Sequence, residues 1–136
     1  MTSSIGEAAR RSGVKVPTIR YYEQIGLLHP PRSAGRRTFG GSELRRLMFI
    51  RRARELGFEI GAIRRLLALQ DMPERSCAEV DAMTREHLAE IDGKIRELES
   101  LRGELTRTLE RCAGGRIAEC RVIEAIALKG GIKAAG

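Results

Sequence analysis

The chain has no tryptophan, and its 136 residues include only three phenylalanines and two tyrosines, an aromatic share of 4%. So few large rings argue against a sandwich or barrel core and favour helices with seams of leucine, isoleucine and alanine. There is no apolar run near the ~20 residues of a membrane span, and the opening MTSSIGEAARR lacks the apolar stretch of a secretory signal. A cytoplasmic protein without membrane contact is expected, in a compartment that keeps thiols reduced. Cysteine is scarce and odd in number, with Cys77, Cys112 and Cys120 far apart in sequence. That count argues against a disulfide framework and falls one short of the four thiolates of an iron–sulfur cluster. Neither a C-x-x-C nor a neighbouring Cys–His pair is present, so no thiol enzyme is expected, and a thiol redox regulator is the weaker alternative. Gly114-Gly115 is not followed by the Gly-Lys-Ser/Thr of a phosphate loop.

What is present is strongly partitioned. Residues 1–75 hold 15 Lys and Arg against 7 Asp and Glu, whereas residues 76–136 hold 10 against 11. A localised basic field is the electrostatic footprint of nucleic-acid binding, and a mixed-sign helix is the ordinary surface of a coiled coil. At the amino terminus Ser4-Ile5-Gly6-Glu7 reads as a capping box, Ile5, Ala8, Ala9 and Ser12 share a helical face, and Gly13 can close the helix in a left-handed conformation. Val16-Pro17 opens a second helix that stops near Gly26. Helix, short turn and helix make a helix-turn-helix; Thr18, Arg20 and Tyr21 lie on the polar face of its second helix, with Lys15 at the entrance. The segment from Leu27 to Phe39, with two prolines, a glycine and three arginines, reads as a β-hairpin wing whose Arg36 and Arg37 face phosphate or the minor groove.

Two further helices are expected. Ser42 serves as N-cap of the first, Leu44, Leu47 and Met48 face inward, and Gly57 marks its end; Ile60, Ile63, Leu66 and Leu67 form the second, closed by Asp71-Met72-Pro73. Arg45, Arg51 and Arg54 read either as phosphate contacts or as solubilising helix surface, the second being favoured for most of them. A long helix then begins between Ser76 and Glu79 and carries Val80, Ile91, Ile95, Leu98, Leu101, Leu105 and Leu109 on one stripe, which needs a partner helix. Cys77 and Cys112 are 35 residues apart, five heptads, so they share a helical phase while lying roughly 52 Å apart at ~1.5 Å per residue. They cannot hold one ion within one chain. If two such helices run antiparallel, Cys77 meets Cys112 and Cys120 of the partner subunit, and three soft ligands converge. Arg116 and Arg121 would add positive charge near the thiolates.

The string Ile5-Gly6-Glu7-Ala8-Ala9, Gly13-Val14, Thr18-Ile19-Arg20-Tyr21-Tyr22-Glu23, Gly26-Leu27-Leu28 and Arg37-Thr38-Phe39 resembles the signature of MerR-family transcription regulators, and the match continues through Leu44-Arg45-Arg46-Leu47, Ile50 to Phe58 and Ile63. Phe39 stands where many members have tyrosine, a loss of one hydroxyl and of a phosphate contact it could make. The long helix and loop cysteines resemble the metal-responsive branch, most closely its mercury(II)-type regulators. The resemblance implies a mainly α architecture: a winged helix-turn-helix over residues 1–75, an antiparallel dimerisation helix over 76–112, and a metal-binding loop with a short helix or tail over 113–136. It brings Tyr22 into the DNA-binding set, with Lys15, Thr18, Arg20, Tyr21, Arg36 and Arg37. It further implies a homodimer on double-stranded promoter DNA that acts on RNA polymerase: the promoter is held poorly active without metal, and untwisted or bent when metal binds.

The ligand type narrows the metal. Three thiolates leave one net negative charge with a divalent ion and two with a monovalent one, and copper-sensing relatives carry serine where this chain has Cys77. Zinc(II) usually completes a tetrahedral set with His or further Cys, whereas His29 falls in the wing and His87 in the long helix. Three sulfurs suit mercury(II) first, then lead(II) or cadmium(II).

Overall fold

The computed structural model describes residues 2–111 and 114–130, the last two by backbone alone. Helix α1 spans Ile5–Ser12 and α2 spans Val16–Gln24. Ser4 Oγ accepts the Glu7 amide at 3.2 Å, the expected N-cap, while the Glu7 carboxylate pairs with Arg10 at 3.0 Å. Gly13 closes α1 at φ 77°, its amide donating to the Ala9 carbonyl. The left-handed φ holds that position to glycine, and an added Cβ would lie 2.3 Å from Arg51 Nη1 and displace that guanidinium. Buried Ser12 completes the turn by accepting the Val14 amide at 3.2 Å. Pro17 in the first turn of α2 costs no hydrogen bond, and Gly26 at φ 81° ends the run.

The wing is a two-stranded antiparallel hairpin, β1 Arg32–Ser33 and β2 Arg36–Arg37, with Arg32 opposite Arg37. Ala34 and Gly35 both have positive φ, 53° and 79°, as the tight turn of a right-twisted hairpin requires. The Thr38 amide and hydroxyl both donate to the Pro31 carbonyl and extend the ladder. Beyond it, Ser3 and Phe39 exchange two backbone hydrogen bonds of 2.8 Å, so the amino terminus is stitched to the end of the wing.

Helix α3 covers Gly41–Glu55 and α4 covers Ile60–Gln70. Gly40, not Ser42, caps α3, because Glu43 reaches back to accept the Gly40 amide at 2.8 Å and Ser42 falls within the first turn. Met48, expected inside, is 54% exposed; Leu44, Leu47, Ile50 and Ala53 form the buried face instead. Together with Ala8, Val14, Ile19, Tyr22, Leu27, Leu28, Ile63 and Leu67 they enclose Phe39, which has no exposed surface. Phe39 therefore serves the core, and its ring does not face phosphate.

Helix α5 runs Ala78–Glu110, 33 residues and about 50 Å at helical rise. Ser76 Oγ accepts the Ala78 amide at 3.1 Å, and the Cys77 carbonyl accepts the Asp81 amide at 2.9 Å, the first bond of the helix. A 3-10 turn at Ile117–Glu119 leads to α6, Arg121–Gly130. The chain divides into two units, Met1–Met83 and Thr84–Gly136. The buried core belongs to the first. Among the described residues of the second, none is buried, and the stripe of Leu98, Leu101, Leu105 and Leu109 is 50% to 65% exposed.

Candidate nucleic-acid interface and metal centre

Most arginines of the first unit are committed to the fold. Arg46 Nε donates to the Leu27 carbonyl at 2.7 Å, Arg51 Nη1 to Ser12 at 3.0 Å, Arg54 Nη1 to Phe58 at 3.0 Å and Arg64 Nη2 to Ile25 at 2.8 Å. Each of these carbonyls lies just past or at the end of a helix, where backbone acceptors lack helical partners. Arg10, Arg32, Arg37, Arg52, Arg65 and Arg75 pair with carboxylates. Among the described residues, the side chains of Lys15, Arg20, Arg36 and Arg45 have neither a hydrogen bond nor an ion pair, and all four residues are exposed. Of the three arginines that the sequence leaves ambiguous, Arg51 and Arg54 are thus structural and Arg45 is open to solvent.

Lys15 precedes α2, Arg20 is exposed on it, Thr18 is half-buried, and Tyr21 is 49% exposed. Tyr22 points the other way: it is 7% exposed, packs in the core, and lies 6.1 Å from the Tyr21 ring. Burial raises its phenol pKa above the ordinary value; the Arg54 cation offsets part of the rise, and Tyr21 adds a little to it. On the wing, Arg36 is exposed at the hairpin turn, while Arg37 is half-buried with its Nε bonded to Glu23 Oε1. Arg32, on the facing strand, approaches Glu23 Oε2 at 3.8 Å. Glu23 of α2 thus clamps both strands of the wing to the second helix of the helix-turn-helix.

Sequence reasoning missed Glu23. A signal was present: it is the one acidic residue between Glu7 and Glu43, amid seven Lys and Arg. A lone carboxylate on a surface built to meet phosphate opposes that purpose unless it holds cations in place.

The second constellation is the cysteines. Cys77 and Cys120 are free thiols in equivalent local settings, each immediately before a helix and each with its carbonyl accepting the amide four residues on. Cys77 is exposed and its Sγ donates weakly to Asp81 Oδ1 at 3.9 Å; Cys120 is half-buried. Cys112 lies outside the described residues. Free thiols at helix starts, one exposed and one half-buried, are a donor type that fits a soft ion. The positive charge expected from Arg116 and Arg121 is largely consumed, since Arg116 pairs with Glu119 at 3.4 Å and Arg121 with Glu124 at 3.6 Å. Among the described residues no three potential ligands converge within one chain.

The family described as the MerR HTH family regulatory protein matches residues 3–70, and a second, MerR DNA binding, matches residues 44–108. The chain belongs to the MerR family. It is 42% identical over 122 residues to the HTH-type transcriptional regulator HmrR of Rhizobium leguminosarum bv. viciae, covering 89% of this chain and 95% of that protein. Among solved structures, the fold is similar to the transcription regulator PbrR691 from Ralstonia metallidurans CH34 in complex with lead(II), at 36% identity and TM-score 0.78, covering 92% of this chain and 99% of that one. It is also similar to the dual function regulator MerR from Bacillus megaterium MB1 in complex with mercury(II), at 34% identity and TM-score 0.68, covering 91% and 98%. This MerR-family chain is a metal-responsive, DNA-binding transcription regulator and not an enzyme. Among the described residues, no helix is long and apolar enough to cross a membrane.

Proposed function

We propose that the protein is a cytoplasmic, homodimeric regulator that senses a thiophilic divalent metal, mercury(II) before lead(II) or cadmium(II), and passes the signal to RNA polymerase at a promoter. In this reading residues 1–75 form the DNA-binding head, 76–112 the antiparallel dimerisation helix and 113–136 the metal loop and tail. Cys77 of one protomer and Cys112 and Cys120 of the partner subunit hold the ion. The observation that carries the reading is Cys77, an exposed thiol immediately before α5, at a position where the resemblance implies serine in copper-sensing relatives. A third thiolate balances a divalent ion better than a monovalent one, and likeness to a lead(II)-bound and a mercury(II)-bound regulator supports the same class.

On the DNA side, Lys15, Arg20 and Arg36 supply unpaired charge for phosphate, Thr18 and Tyr21 supply neutral donors, and Tyr22 and Arg37 fix the angle of helix and wing. Zinc(II) is a second reading, favoured by one contact: Asp81 Oδ1, 3.9 Å from Cys77 Sγ, offers an oxygen as fourth ligand. Metal competition on the reduced, DNA-bound dimer tests both, with thiolate-to-metal ultraviolet bands and transcription read together. Mercury(II) should induce at the lowest concentration, and Cys77→Ser, Cys112→Ser and Cys120→Ser should each abolish induction with operator affinity retained. Selective induction by copper(I), or a normal metal response from any one of these variants, would overturn the three-cysteine site.

A further inference from the structure

We propose that Arg65 and Glu79 form a strut through which the state of Cys77 reaches the recognition helix α2, with α4 carrying the load. The proposal rests on the reading of Cys77 as a metal ligand. Glu79 lies two residues beyond Cys77 in the first turn of α5, and that turn is fixed to Cys77 by the 2.9 Å bond between the Asp81 amide and the Cys77 carbonyl. Its carboxylate takes both forks of Arg65: Nε on Oε2, and Nη2 on Oε1 at 2.8 Å. Arg75 adds a contact at 3.7 Å. A bidentate guanidinium–carboxylate pair fixes distance and angle together, which a single point contact does not.

Arg65 belongs to α4, and the residue before it, Arg64, donates to the Ile25 carbonyl at 2.8 Å. Ile25 is the C-cap of α2. Adjacent residues on a helix project about 100° apart, so α4 turns one guanidinium to the first turn of α5 and the next to the end of the recognition helix. Ile63 and Leu67 on the same helix are 0% and 1% exposed, and tight packing makes such an element shift as a body. The connecting segment 71–77 is exposed throughout, which makes the backbone by itself a soft link. A displacement imposed at Cys77 therefore passes through Glu79 and Arg65 into α4, and from Arg64 into α2.

Exposed ion pairs add little to folding stability, so the strut can be removed without unfolding the head. The test uses the full-length dimer on an operator selected in vitro with the wild-type protein, and mercury(II) chloride buffered by a competing thiol. Mercury affinity, operator affinity and mercury-induced transcription are measured for each variant. Arg65→Gln and Glu79→Gln should lower induced transcription at least threefold while both affinities stay within twofold of wild type. Arg65→Lys, which keeps the cation but loses the fork, should recover part of the response. Arg52→Gln, which breaks an ion pair internal to α3, should respond as wild type. Wild-type induction in Arg65→Gln overturns the strut, as does a loss in Glu79→Gln that merely tracks weaker mercury binding. If Cys77→Ser binds mercury and induces as wild type, the ligand reading fails and takes the strut with it; if Cys77→Ser is silent and Arg65→Gln is normal, only the strut has failed.

Discussion

In the first unit Ile19, Leu28, Leu47, Ile50 and Ile63 have no exposed surface, whereas in the second Leu98, Leu101, Leu105 and Leu109 keep half or more of theirs. The two sets are chemically alike, and what differs is whether the chain supplies its own cover. Three short helices, a fourth behind them and a wing close a core around Phe39 within 83 residues. The long helix presents its leucines at i, i+3, i+7 and i+11, a seam that needs a second helix to leave water. Stability of the first unit is thus a property of one chain, whereas the seam needs a second helix to be covered.

Paired truncations break or sharpen that contrast. Phe39→Ala removes a fully enclosed ring and should cost about 3–5 kcal/mol in urea unfolding, the range for large buried aromatics. The loss should not depend on protein concentration. Leu98→Ala, at 64% exposure in the monomer, should instead shift the monomer–dimer equilibrium, read by sedimentation equilibrium, by roughly tenfold or more, because symmetry presents the deletion to the interface twice. A concentration-independent loss from Leu98→Ala would mean that the chain covers its own seam.

Charge differs between the two units as well. Arg20→Ala should weaken operator binding roughly tenfold and reduce the salt slope by about one per protomer, since each phosphate contact releases condensed counterions. Arg96→Ala, on α5, should leave the slope unchanged. An equal change in both would mean that the second unit contacts phosphate as well as the first. The next smaller effect belongs to Glu23→Gln, which frees both strands of the wing from α2. A footprint that shortens by a few base pairs on each flank, with central protection intact, is the expected result.

Local features were readable from the chain because their causes are local. Gly13 and Gly26 at positive φ and Pro17 in a first turn each follow from the conformational preferences of a single residue. Partnerships across the chain were not. The Ser3–Phe39 bridge joins residues 36 apart in sequence, Arg51 reaches Ser12 across 39, and Glu23 reaches Arg37 across 14. Such bonds depend on where the backbone returns, which periodicity does not encode. The α3 cap shows how close the competition can be, for Ser42 has the capping side chain but Glu43 has the reach. At the cysteines the sequence offers thiol donors at wide spacing, and the fold adds that Cys77 and Cys120 both stand at helix starts.

Tyr21 and Tyr22 bring the contrast between covered and uncovered side chains down to neighbouring residues, and Tyr22 gives the smallest expected effect. Its folded-state pKa is raised, chiefly by burial, above an unfolded value near 10. Below that unfolded value both states keep the phenolic proton, and the group contributes its full stability. As pH rises past it, the unfolded chain ionises first and binds fewer protons than the native one, so stability falls until the folded pKa is passed. Tyr22→Phe should therefore unfold with a shallower pH dependence in this alkaline window and an unchanged one at neutral pH. The check is a series of urea midpoints from neutral to alkaline pH, with Tyr21→Phe alongside. If the two variants give the same alkaline slope as wild type, Tyr22 is not desolvated in solution, and the inward face of the recognition helix must be assigned to other residues.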